Sequence, residues 1–196
     1  MIQANEDASS AEVIAAVSHA IRVPDPSASQ AAAERQDMLT KPPGALGRLE
    51  DIAVRIAGIT GTARPRLTNR LIVVAAGDHG VAQRGVSAYP PEVTAQMVQN
   101  FLRGGAAISV LARHAGVRVR IVDAGVAGNT PDHPDLTRLR LGPGTADISI
   151  GPAMSRDQAM AAIAAGVDLM KDECADGLNI VGCGEMGIGN STAAAA

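Results

Sequence analysis

"RLIVVAAGDHG" (70–80) decides the fold. Leu71 to Ala76 form an unbroken apolar run with β-branched residues at its centre. It lacks the polar alternation of a strand that wets one face. Such a run predicts a strand covered on both faces, as in a parallel sheet. It gives way at Gly77-Asp78-His79-Gly80, a polar turn flanked by glycines. "VRVRIVDAG" (117–125) and "LNIVGCG" (178–184) repeat the pattern. Between these strands the period becomes helical. VTAQMVQNFL (93–102) and AAISVLARHAG (106–116), separated by Gly104 and Gly105, follow the first strand. SRDQAMAAIAAGVDLMKDE (155–173) precedes the third, opening on Ser155 with Gln158 three residues later, the spacing of a capping box. Strand, helix, strand, helix, strand predicts right-handed crossovers. The expected class is α/β, a Rossmann-like parallel sheet with flanking helices.

Upstream, AEVIAAVSHAIRV (11–23) and SQAAAERQDML (29–39) read as Ala-rich helices split by Pro24 and Pro26. Lys41-Pro42-Pro43-Gly44 then halts the chain before a helix with an expected apolar face of Leu46, Leu49, Ile52, Ile56 and Ile59. Residues 1–60 are therefore expected as N-terminal helices belonging to a small helical domain. Residues 61–196 are expected as a partial α/β nucleotide-binding domain, its sheet incomplete at the C-terminus. Residues 125–147, rich in Gly, Pro and Asp, read as loop.

Composition narrows the function. Apolar residues make up 46% of the chain, yet Tyr89 and Phe101 are its only aromatics. The core must be built from Ala, Val, Ile, Leu and Met. A net charge of −3 without a basic stripe argues against nucleic acid as a partner. No apolar stretch approaches the roughly 18 residues of a membrane span. The polar, acidic opening MIQANEDASS is not a secretory signal. Cys174 and Cys183 lack metal or disulfide spacing and read as reduced thiols in a cytoplasmic protein.

Parallel sheets bind ligands beyond the carboxyl ends of their strands. The three strand-end segments, Gly77–Gly80, Asp123–Gly125 and Gly182–Glu185, are thus expected to share a site. The last runs into Met186-Gly187-Ile188-Gly189-Asn190-Ser191-Thr192, and two readings stay open there. Gly182-x-Gly184-x-x-Gly187 matches a dinucleotide fingerprint, which would make the protein an oxidoreductase. Alternatively, Gly187, Gly189, Asn190, Ser191 and Thr192 form an anion turn at a helix start, suited to a monophosphate because no Walker lysine is present. A plain turn capped by Ser191 or Thr192 is the bland alternative. Asp78 and His79 could act as base, bind metal or only brace their turn. Tyr89, stiffened by Pro90 and Pro91, suits stacking on a planar ligand, or plain packing. Lys41, Arg48 and Arg156 are cations near element ends, and Asp132 with His133 a weak metal pair.

Five ordered segments carry a resemblance: "KPPGALGRLE" (41–50), "AAGDHGVAQRGVSAYPPEVTAQMVQNFLRGGAAISVLAR" (75–113), "IVDAGVAG" (121–128), "GTADISIGPAMSRDQA" (144–159) and "GEMGIGNSTAAAA" (184–196). Together they resemble the nicotinate-nucleotide–dimethylbenzimidazole phosphoribosyltransferase family. The resemblance implies phosphoribosyl transfer from nicotinate mononucleotide to 5,6-dimethylbenzimidazole, giving α-ribazole 5′-phosphate and nicotinate for the lower loop of cobalamin. It implies a homodimer that needs no metal or organic cofactor. By the same resemblance Ser87, Tyr89, Gln96, Met97 and Met186 line the base pocket. Glu185, Gly187, Gly189, Asn190, Ser191 and Thr192 surround the nucleotide and its phosphate. The family's general-base glutamate has no counterpart up to residue 196. The chain therefore reads as the N-terminal part of a longer enzyme, expected to be inactive alone, or else as a non-catalytic fragment that binds nucleotide or benzimidazole.

Overall fold

The computed structural model describes residues 8–139 and 141–196; the polar opening MIQANED (1–7) and Arg140 lie outside them. The chain divides into two compact units, Val17–Thr68 and a sheet-bearing unit that takes the described residues up to Ala16 with Asn69–Ala196. The pattern of the sequence alone places that division at residue 60.

Helix α1 covers Ser10–Ala20. In the first unit, α2 (Pro26–Asp37) starts where the Asp25 carboxylate accepts from Ser27 N and Ala28 N, with Pro26 pre-set at the first position. Its partner α3 (Arg48–Thr60) meets it through small residues. Ala28 and Ala32 are buried on α2, and Ala57 and Gly58 on α3. A Cβ at Gly58 would stand 3.2 Å from Pro24 Cβ and displace the Ser29 hydroxyl, so glycine permits the close approach. This geometry corrects the expected inner face of α3. Leu46, Leu49, Ile52 and Ile59 are exposed, because close packing selected the alanine–glycine side of the helix instead. Lys41 is not a solvated cation: its Nζ lies 2.8 Å from Glu50 Oε1.

The sheet-bearing unit holds β1 (Arg70–Gly77), α4 (Val93–Leu102), α5 (Ala107–Ala115), β2 (Arg118–Gly125), β3 (Leu136–Arg138), α6 (Arg156–Ala175), β4 (Ile180–Met186) and α7 (Asn190–Ala195). All pairings are parallel, in the order β3-β2-β1-β4. Two expectations need correction. The supposed loop 125–147 contains β3, a three-residue strand anchored by buried Leu136 and too short to show a period. The β1 strand is not sealed on both faces. Leu71, Val74 and Ala76 are buried, but Ile72, Val73 and Ala75 only partly, beside a β4 that stays exposed from Ile180 to Glu185. Gly182 and Gly184 bring no side chain to thicken that edge.

Val74, Ala76, Val98, Ile121, Val126 and Leu136 form the core, with Phe101, Ile108 and Met186 packed against it. Each large apolar side chain buried there contributes about 1.5–3 kcal/mol. The predicted capping box forms: Ser155 Oγ accepts from Gln158 N and Gln158 Oε1 from Ser155 N. Near the other end of α6, Glu173 is 1% exposed and holds Arg118 and Arg120 of β2 at 2.8 and 2.7 Å. This ion triad ties the helix to the sheet and was not legible from strand periodicity.

Candidate functional site

The turns after β1 and β2 are built as one unit. Asp78 N donates to Gly125 O (3.0 Å), and Asp78 Oδ2 accepts from Ala127 N (2.7 Å). Asp78 O accepts from Thr145 N (3.0 Å), which brings the segment before α6 onto the same edge. Gly80 permits this contact, since a Cβ there would stand 2.6 Å from Ala146 C and Asp147 N. Asp123, 0% exposed, turns its carboxylate back on its own chain. Oδ1 accepts from Gly125 N (3.1 Å) and Val126 N (2.9 Å), and Oδ2 accepts from the Thr130 hydroxyl (2.7 Å). Asp78 Oδ1 is buried and makes no hydrogen bond among the described residues. Arg84 pairs with Asp147, whose carboxyl the Ser149 hydroxyl and then the Arg84 guanidinium hold down to about 2.

These turns enclose a cavity of about 610 Å³ at the carboxyl ends of β1 and β2, lined by Asp78, His79, Gly125, Thr145, Met154 and Gln158 among others. Two of the three expected strand-end segments thus meet. The third does not line this cavity, because Gly182 to Met186 belong to β4 itself. Glu185 and Met186 are strand residues, not loop residues. The dinucleotide fingerprint is overturned by the same fact: its first two glycines lie inside the strand, so the tight turn it requires is not made there.

The turn begins at Gly187. A Cβ at this position would overlap the Gly77 carbonyl oxygen and stand 2.9 Å from two ring atoms of His79, so the backbone rests directly on the end of β1. Ile188 N donates to Thr94 Oγ1 at 3.2 Å in a buried bond. Gly189, at φ +88°, is the N-cap of α7. That removes the alternative of capping by Ser191 or Thr192: Ser191 N and its hydroxyl both donate to Asn190 Oδ1, 2.7 and 3.2 Å away. Asn190 N closes the turn on Gly187 O.

The base-side residues scatter more. Met97 and Glu185 line a second cavity of about 500 Å³, with Phe101, Ile72, Gly182 and Gly184. Ser87 Oγ accepts from Tyr89 N (3.2 Å), but Tyr89 is 67% exposed, and Gln96 is exposed too. Arg48 and Arg156 also stand at the surface. His133 Nδ1 is engaged by Asp135 N (3.1 Å). Cys174 and Cys183 are free thiols. Sequence reasoning missed Thr94 and Thr145. The signal for Thr94 was a hydroxyl one helical turn before Val98, on a face otherwise apolar.

Comparison with known proteins agrees with this architecture. A family model described as "Phosphoribosyltransferase" matches residues 21–196. A nicotinate-nucleotide–dimethylbenzimidazole phosphoribosyltransferase of Roseiflexus sp. (strain RS-1) is 62% identical over 172 residues, which cover 88% of this chain and 49% of that protein. The enzyme of the same name from Thermus thermophilus is 51% identical over 172 residues, 88% of this chain and 51% of its own length. A crystal structure of the Thermus thermophilus enzyme superimposes with a TM-score of 0.83 at 50% identity, covering 87% of this chain and 52% of that one. The chain spans about half the length of the curated relatives it matches. With the parallel sheet, the glycine-seated turn and this match over most of its residues, the chain belongs to the phosphoribosyltransferase family that includes the nicotinate-nucleotide–dimethylbenzimidazole enzymes.

Proposed function

We propose that the protein serves phosphoribosyl transfer from nicotinate mononucleotide to 5,6-dimethylbenzimidazole, in assembly of the cobalamin nucleotide loop. A benzimidazole nitrogen attacks C1′ of the ribose as the bond to the pyridinium nitrogen breaks. Nicotinate leaves with that electron pair, and the benzimidazole N–H proton passes to a base. Because C1′ gains cationic character, the work of such a site is positioning and charge balance. The observation that carries the reading is the glycine turn from Gly187 to Asn190, set on the end of β1 against His79 and leading into α7. In this reading Glu185, Gly187, Gly189, Asn190, Ser191 and Thr192 hold the nucleotide, and Ser87, Tyr89, Gln96, Met97 and Met186 the base. No helix among the described residues is long and apolar enough to cross a membrane. A homodimer in the cytoplasm, without added cofactor, completes the proposal.

One observation favours a second reading, binding without turnover. At the ends of β1 and β2, Asp78 and Asp123 spend carboxylate oxygens on backbone N–H groups, and Glu185 stands exposed on β4. Of the Asp78 and Asp123 oxygens, only Asp78 Oδ1 is left without a partner among the described residues, and it is buried. Incubating the purified chain with both substrates and following α-ribazole phosphate by chromatography separates the readings. Product supports the transferase reading and overturns the expectation that this chain is inactive alone. Calorimetric binding of both ligands without product supports the second reading, and binding of neither overturns both.

A further inference from the structure

We propose that Thr94 is a positioning residue that fixes the Gly187–Gly189 turn against α4. Thr94 sits in the first turn of α4 and is 0% exposed, as is Val98 one helical turn later. At a site so dry a valine would pack equally well, so the hydroxyl needs a reason. Its oxygen accepts from Ile188 N, a buried bond joining positions 94 residues apart in sequence. Ile188 is 8% exposed, and the turn's own bonds do not use its N–H. Those run from Asn190 N to Gly187 O and from Thr192 N and Ala193 N to Gly189 O. Without the Thr94 oxygen, the Ile188 N–H would be left in the core unpaired, a state folded proteins avoid.

The consequence concerns geometry between two ligand-bearing segments. α4 carries Gln96 and Met97, and the turn carries Gly187, Gly189 and Asn190. One side chain sets the distance between them. The glycine seat on Gly77 O and His79 resists motion of the turn toward β1, but it does not fix the turn along α4. Thr94 supplies that second constraint. Binding of nucleotide at the turn and of base beside α4 is then energetically linked through it, in both directions. The ligand part of this inference rests on the proposed function; the buried bond does not.

The test uses the full 196-residue chain with Thr94→Val, which keeps the shape and removes the acceptor, and Thr94→Ser, which restores it. Amide exchange by NMR reads the bond, and calorimetry with nicotinate mononucleotide and with dimethylbenzimidazole reads its role. In Thr94→Val the Ile188 amide is expected to exchange on the order of tenfold faster, with β1 amides unchanged. Nicotinate mononucleotide should bind weaker by a similar factor while dimethylbenzimidazole alone binds as before. Thr94→Ser should recover both. Unchanged Ile188 exchange overturns the proposal, and so does equal acceleration across β1 and β2, which marks general destabilisation. Unchanged nucleotide affinity despite faster exchange overturns the positioning role. If the unaltered chain binds neither ligand, the functional reading fails, and the exchange comparison still decides the Thr94 link.

Discussion

The turn after β1 and the turn after β4 carry the same sequence cue, glycines around polar residues at a strand end, yet they are held very differently. Asp78 alone is fixed through its N–H, its carbonyl and one carboxylate oxygen. The neighbouring turn is fixed three times over by Asp123. After β4, the Gly187–Asn190 turn has one buried side-chain bond to Thr94 and a glycine seat. The cause lies in sheet order. β1 and β2 each have strands on both sides, while β4 pairs only with β1 among the described strands. The turns after β1 and β2 satisfy one another's groups, whereas the turn after β4 is satisfied by Thr94 and by its own backbone. The first are held by side-chain carboxylates; the second by the Thr94 hydroxyl and its own backbone. Segments with few buried contacts also open most readily.

Breaking the scaffold should cost most. Asp123→Ala leaves Gly125 N and Val126 N without their acceptor in the core and should destabilise the fold by about 3 kcal/mol or more. Urea unfolding followed by circular dichroism measures this; a loss under about 1 kcal/mol would erase the contrast between the two turns. Gly187→Ala sharpens the same contrast from the other side. The added methyl overlaps Gly77 O and presses on His79, an overpacking worth roughly 1–3 kcal/mol. That strain should appear chiefly as lost nicotinate mononucleotide affinity, with global stability falling less than in Asp123→Ala. Equal unfolding in both variants would mean that the β4 turn is scaffold as well.

Much of this was legible from residue order. The apolar run 71–76, the helical periods around it and the Ser155–Gln158 box led directly to β1, the crossovers and the start of α6. Legibility failed where a residue's partner is distant in sequence. Glu173 could not be matched to Arg118 and Arg120 from periodicity, nor Thr94 to Ile188, because those pairings exist only after the sheet has formed. The extent of β4 was misjudged because Gly182 and Gly184 read as turn residues. Pairing with Ile72 and Val74 holds them extended instead. The α3 face was misjudged for a complementary reason: amphipathic spacing locates an apolar stripe but not which side a neighbour meets, and Ala57 with Gly58 settled that.

The smallest expected effect tests a brace at the rim of the scaffold turn. Asp147 accepts from the Ser149 hydroxyl and N–H and pairs with Arg84, which lies just beyond the β1 turn. These contacts hold its carboxyl down from the ordinary 3.8 to about 2, the Ser149 hydroxyl being the larger cause and Arg84 the next. A folded-state pKa below the unfolded one favours folding whenever the group is ionised in both states. The brace therefore contributes fully above pH 3.8, and its contribution fades as pH falls from there through about 2. Carbon-detected NMR titration of the Asp147 carboxyl is the direct measurement. Ser149→Ala should raise its midpoint more than Arg84→Ala, since Arg84 is half exposed and its charge is screened by water. A larger rise in Arg84→Ala would show that charge rather than hydroxyl donation holds this loop, and that the scaffold turn depends on ionic strength in a way the β4 turn does not.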